Sequence, residues 1–161
     1  MVSGFNIKPK RHIMTFDLGT TTGYAGKKPF DEVYFGSINL KPSKHESHGM
    51  RYTNFRKFLN AMPDPVGHIY YEAVRSHAGT DAAHMYGGYL AVLQMWCEQH
   101  GVSYEGIPVA TIKKTFTGEG NASKDLMIWT AQAHGFPVRD DNQADALGLL
   151  YYGLEASHTL D

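Results

Sequence analysis

Residues 12–25, HIMTFDLGTTTGYA, constrain this chain more than any other stretch. Ile13, Met14 and Phe16 make an apolar run that reads as a buried strand, and it stops at one carboxylate, Asp17. A tight Gly/Thr turn from Leu18 to Thr22 follows, and a second short strand runs from Gly23 to Lys27. An acid at the end of a central strand is held rigidly at a sheet edge, which suits a metal ligand. A hairpin with a turn-forming Asp accounts for the stretch equally well. Gly19 and Gly23 let backbone approach whatever binds there. The companions of Asp17 have to decide.

Met1 to Lys10 is a short polar lead with a basic end, expected to be flexible. After the first two strands, Lys28 to Asp31 reads as a turn and Glu32 to Leu40 as a third strand. Lys41 to Gly49 is a polar loop. Phe55, Phe58, Leu59 and Met62 recur with helical spacing, and Pro63 closes that helix. A fourth strand, His68 to Val74, carries Glu72. The helix from Ala83 to His100, ended by Gly101, shows two apolar stripes, implying burial on two sides. Ser103 to Val109 is a fifth strand and Thr111 to Phe116 a short helix. The loop TGEGNA and a Ser123-capped helix from Lys124 to His134 come next, and the last helix starts near Asp140. This order predicts an α/β fold: a mixed five-stranded sheet, its first three strands antiparallel, flanked by helices.

At 161 residues the chain reads as one domain, 1–161. No apolar run approaches bilayer length, and Cys97, the single cysteine, excludes internal disulfides and Cys-based zinc sites and fits a reducing cytoplasm. The formal net charge of -1 argues against a nucleic-acid binder on bulk charge alone. The cations are clustered, however: Lys8, Lys10 and Arg11; Lys41 and Lys44; Arg51, Arg56 and Lys57; Lys113, Lys114 and Lys124. Divalent ions at a carboxylate site would add further positive charge.

Three acids stand out by position: Asp17 ending the first strand, Glu72 in the fourth, and Asp145 near the start of the last helix. Each alone could be an exposed charge. Glu72 and Asp145 sit among apolar neighbours, where unpaired acids are poorly solvated, and this favours a shared cation. Asp141 shares a helix face with Asp145. Such a cluster is what two-magnesium phosphodiester cleavage needs. Lys124 stands in the first turn of its helix, an unfavourable place for a cation unless it faces phosphate. The Gly118 to Gly120 loop before it would let a nucleic-acid backbone come close.

Taken together, FDLGTTTGYA, YYEAVRSHAGTDAAHMYGGYLAVL, IPVATIKKTFTGEGNASKDL and NQADALGLL, in this order and spacing, resemble the RuvC-like Holliday junction resolvases of the RNase H-like nuclease superfamily. The resemblance runs from about His12 to Tyr152. It implies an RNase H-like fold and a homodimer, joined through helix 83–100, that cuts opposed strands of a four-way DNA junction. It implies two Mg2+ ions, replaceable by Mn2+, on Asp17, Glu72, Asp145 and a fourth ligand. It also implies Lys113 and Lys124 near the scissile phosphate; Lys114, Gly118 and Gly120 are expected on the DNA beside them, with Lys124 nearer the chemistry, although an ordinary solvated helix face accounts for Lys113 and Lys114 too. Members commonly carry an acid or His three residues before the final Asp. Here that position is Asn142, so Asp141 is the expected fourth ligand, with Asn142 as the alternative and Asp140 as an N-cap completed by Gln143. The chain is somewhat short for a bacterial housekeeping member, which is compatible with either a cellular or a phage-type protein in the cytoplasm of a bacterial or phage-infected cell. Two other readings compete. FDLGTTTG also resembles the first phosphate-binding loop of actin-like ATPases and sugar kinases, and a junction-binding module without cleavage would need no complete ligand set.

Overall fold

In the computed structural model, which describes residues 4–62 and 64–160, the chain forms five strands and five α-helices. They are β1 (Ile13–Asp17), β2 (Thr21–Lys27), β3 (Tyr34–Asn39), α1 (Met50–Asn60), β4 (His68–Ala73), α2 (Thr80–His100), β5 (Ser103–Pro108), α3 (Val109–Thr117), α4 (Lys124–Ala133) and α5 (Asp141–Leu160). The sheet order is β3-β2-β1-β4-β5. β1, β2 and β3 pair antiparallel, while β4 and β5 run parallel to β1. This is the mixed sheet that the strand and helix order predicts. No helix among the described residues is long and apolar enough to cross a membrane.

Alternation along β1 divides the core. Met14 and Phe16 point into a cluster with Phe55, Leu59, Tyr89 and Leu93 from α1 and α2. Ile13 points into the opposite cluster with Phe116, Met127, Leu147 and Leu150 from α3, α4 and α5. Phe16 is fully buried, its ring edge-on to Phe55 at 5.6 Å. Burying a ring of this size contributes about 2 kcal/mol. The sheet is thus sandwiched between two helical layers, and residues of β1 with the parity of Ile13 face α5.

Several boundaries differ from those expected. α1 begins at Met50, a turn before its apolar stripe, and α2 begins at Thr80 rather than Ala83. Pro63, expected to close α1, lies outside the described residues, as do residues 1–3 of the lead. The rest of that lead is not a loose tail. Gly4–Asn6 forms a 3-10 turn, Phe5 and Ile7 are buried, and the Lys27 ammonium donates to the Phe5 carbonyl at 2.6 Å. Phe5 packs edge-on against Phe136 at 4.7 Å. Two isolated apolar residues in a polar stretch carry no periodic signal, so only their packing shows them to be core.

The expected double burial of α2 is also modified. Residues of both apolar stripes turn toward the body, with Tyr89, Leu93, Trp96 and Cys97 buried and Tyr86, Leu90 and Val92 half-buried. The outward line is narrower and mixed: His84, Gly87, Ala91, Met95 and Glu98.

Candidate active site

Asp17 has the parity of Ile13 and Thr15, so its side chain faces α5. On the neighbouring strand Phe16 aligns with Tyr71, which brings Glu72 beside Asp17. Glu72 shares the parity of Tyr70, whose ring belongs to the α5-side core. Two parallel strands therefore deliver two carboxylates to one face at one end of the sheet. α5 supplies the third, and its placement depends on how closely its first turns approach the sheet. Thr15 Oγ1 donates to the Ala146 carbonyl at 2.8 Å, a direct tie from β1 to α5. A Cβ at Gly23 would fall on the Asn142 carbonyl, so β2 admits the helix this closely only because residue 23 has no side chain.

The start of α5 is fixed by a second set of bonds. Asp140 Oδ1 accepts from the Gln143 backbone N–H at 2.8 Å, as an N-cap does, and Gln143 Oε1 accepts from the Arg139 N–H at 2.9 Å. Ser37 on β3 donates to Asp140 at 3.3 Å and accepts from Gln143 Nε2 at 3.1 Å. Asp140 is thereby committed to structure.

The result is a carboxylate cluster: one oxygen from each of Asp17, Glu72 and Asp145 lies within 4.8 Å of the other two. Burial holds the Asp17 carboxyl well above the ordinary carboxylate range. The Glu72 and Asp145 charges, a hydrogen bond with Glu72, and the more distant Asp141 push the same way. Asp145 is pushed up to about 7 by burial and by the charges of Glu72 and Asp141, against the pull of Lys113 and Lys124. Among the described residues no Lys or Arg forms an ion pair with any of the three. Hard oxygen donors this close, partly desolvated and mutually repelling, fit a hard divalent cation.

Asp141 lies outside this trio. Its Oδ2 is 3.4 Å from Lys124 Nζ, and the lysine side chain is 81% exposed, so the two form a solvent-facing pair rather than a buried one. Lys113 is half-buried on α3, close enough to lower Asp145, whereas Lys114 is exposed. Ser123 Oγ caps α4 by accepting from the Leu126 N–H at 3.1 Å, which sets Lys124 in the first turn. Gly118 has φ +91° and ends α3, a conformation that by itself accounts for glycine there. Gly120 is uncrowded.

Tyr86 was legible only as part of an apolar stripe, yet it holds the Glu72 strand. Past Tyr71, β4 leaves β1, and the Tyr86 hydroxyl takes over: it donates to the Glu72 carbonyl at 2.6 Å and accepts from the Val74 N–H at 3.1 Å. Its helical spacing carried no hint of a polar duty. His77 lies against Tyr86 with the rings tilted and their centroids 4.9 Å apart, and among the described residues it has no bond to the cluster.

No family model matches the sequence, and no curated protein matches it at a significant level. Solved structures do match. RuvC of Thermus thermophilus superposes with a TM-score of 0.68 at 17% identity, covering 92% of this chain and 96% of that one. RuvC of T. thermophilus in complex with a Holliday junction substrate superposes with a TM-score of 0.72 at 18% identity, over the same shares of each chain. Matched over nearly the whole of both chains, this mixed five-stranded α/β domain is RuvC-like, that is RNase H-like, in fold.

Proposed function

We propose that this protein is a metal-dependent endonuclease that resolves four-way or otherwise branched DNA by paired phosphodiester hydrolysis. The observation that carries this reading is the trio Asp17, Glu72 and Asp145 within 4.8 Å, at the end of the sheet in a RuvC-like fold. In it, Asp17, Glu72 and Asp145 hold two magnesium ions, or manganese in their place, with Asp141 as fourth ligand in preference to Asn142. Bound divalent cations supply an activated water and stabilise charge on the leaving oxygen. Asp17 and Glu72 stand on adjacent strands and so hold a fixed separation while substrate binds. Asp141 pairs with Lys124, and phosphate arriving at Lys124 would free it to turn toward a cation held by the cluster. Lys113 and Lys124 lie on the phosphate side, and a cation there stabilises charge that grows in the transition state. Lys114, Gly118 and Gly120 flank the same path.

Two opposed cuts require two sites, and the reading therefore includes a homodimer. The outward line of α2, with Gly87, Ala91 and the half-exposed Met95, allows a second copy to approach closely. The same reading puts the protein in the cytoplasm of a bacterial or phage-infected cell. No observation favours the nucleotide-binding or non-cleaving readings. The test is cleavage of an end-labelled four-way junction against matched duplex, with magnesium and with manganese. Symmetrical nicks in the junction alone are expected. Absence of cutting with either metal, in a folded sample that binds the junction, would remove the nuclease assignment.

A further inference from the structure

The cluster has a cationic rim at α3 and α4, and the chain builds a second one on the opposite side. Residues 39–57 hold five of the 15 Lys and Arg but only one of the 16 Asp and Glu, Glu46. β3 delivers this segment to the same end of the sheet as Asp17, since Thr21 pairs with Asn39 and the Leu40 N–H donates to the Thr20 carbonyl at 2.7 Å. Lys41, Lys44, His45 and His48 are exposed on the loop that follows. Glu46 is turned back on that loop, where Oε1 accepts from the Ser43 N–H at 2.8 Å.

Arg51, in the first turn of α1, sits where the loop meets the Asp17 turn. Its Nη1 reaches Thr20 Oγ1 at 3.2 Å, Tyr89 Oη at 3.2 Å and Met85 Sδ at 3.1 Å, and its Nε donates to the His48 carbonyl at 3.2 Å. Every one of these partners is neutral. Among the described residues no carboxylate pairs with Arg51, and nothing accepts from its Nη2. A half-buried guanidinium oriented by neutral acceptors keeps its whole charge and has a donor to spare, the arrangement that favours an incoming phosphate.

We infer that Arg51 together with Lys41 and Lys44 forms a second backbone-binding surface, which grips a duplex arm of the DNA on the side of the acid cluster away from Lys113 and Lys124. The inference rests on the nuclease reading above and deepens it: the substrate backbone crosses the cluster between two positive rims. Arg51 touches phosphate and also braces the Thr20 turn, whereas Lys41 and Lys44 serve phosphate only.

The test uses full-length Asp17→Asn protein, to hold DNA uncut, and measures affinity for a four-way junction and for plain duplex across a salt series. Added to that background are Lys41→Glu with Lys44→Glu, Arg51→Gln, Arg51→Lys, and a control reversal, Lys8→Glu. Thermal melting checks that each is folded. The paired loop reversal and Arg51→Gln are each expected to weaken junction binding about 5- to 20-fold, and to flatten the slope of log K against log salt by about one per lost contact. Arg51→Lys is expected to restore most of the salt slope, and Lys8→Glu to change little. Loop reversals that bind as the background does, with unchanged slope, overturn the inference and leave the junction reading standing. Equal weakening on junction and duplex, from a background that does not prefer junction, upholds the second rim and counts against junction selectivity. A background protein that binds neither DNA overturns both.

Discussion

The two ends of β1 make opposite uses of a titratable side chain. At its start His12 is buried, and burial lowers its pKa below the ordinary histidine value. Both ring nitrogens are satisfied: Nδ1 pairs with the Pro65 carbonyl at 3.2 Å and Nε2 with the Tyr34 hydroxyl at 2.6 Å. Nearby, Lys28 and Asp64 form an ion pair at 2.6 Å beside a largely apolar cavity of about 430 Å³. At the far end Asp17 is also pushed toward its neutral form, but its neighbours are further acids and, among the described residues, no cation pairs with it. The end beside this cavity is the electrostatically settled one. On the proposed reading, the catalytic end of this sheet is the one with uncompensated like charge, not the one with this cavity.

The comparison breaks most sharply on activity. Asp17→Asn is expected to lower junction cleavage by about 1000-fold or more while leaving junction affinity within about threefold, because phosphate contacts come from the basic residues. His12→Gln should leave cleavage within about threefold, since nothing ties the ring to the acids. Equal losses from the two variants, read in a single-turnover cleavage assay, would erase the distinction between the ends.

The pH dependence of stability sharpens it. Asp145 and Asp17 are raised in the folded state, so the folded protein holds protons that the unfolded chain releases. Their effect is that metal-free stability declines as pH rises from about 4 through about 7. Divalent cations must displace those protons, so the rise in Tm caused by magnesium should be larger at pH 8 than at pH 6. In Asp145→Asn the metal-free protein should gain about 1–2 kcal/mol at pH 8 and lose most of the magnesium effect. A magnesium-induced Tm rise that is flat across this range in the parent protein would count against a cluster held together by a cation.

Smaller effects test the supports. Tyr86→Phe removes the bridge between the Glu72 carbonyl and the Val74 N–H, and an expected 3- to 10-fold rise in the magnesium concentration needed for half-maximal cutting would show it. At the other end Tyr34→Phe removes one bond to His12. That should cost about 1 kcal/mol in denaturant melts and leave the magnesium requirement unchanged. A change in metal requirement from Tyr34→Phe, and none from Tyr86→Phe, would reverse the assignment of the two ends.

Much of this arrangement was legible in the chain itself, because it depends on local periodicity. Strand runs that end in an acid, the helical spacing around Phe55 and along 83–100, and the Ser123 and Gly101 caps all report short-range backbone preference. Alternation alone puts Ile13, Thr15 and Asp17 on one face and Met14 and Phe16 on the other. The order of motifs then pointed to the RuvC-like layout and to Asp17, Glu72 and Asp145. Tertiary structure decided what periodicity cannot carry. Whether Asp140, Asp141 or Asn142 turns toward the acids depends on Ser37, more than 100 residues away in sequence, holding Asp140 and Gln143, and on the bare backbone of Gly23 beneath Asn142. The duty of Tyr86, the seat of Phe5 and the unpaired charge of Arg51 are likewise contacts between distant segments. Such contacts follow from register and packing distance, and a single side chain in a polar or apolar run leaves no periodic trace of them.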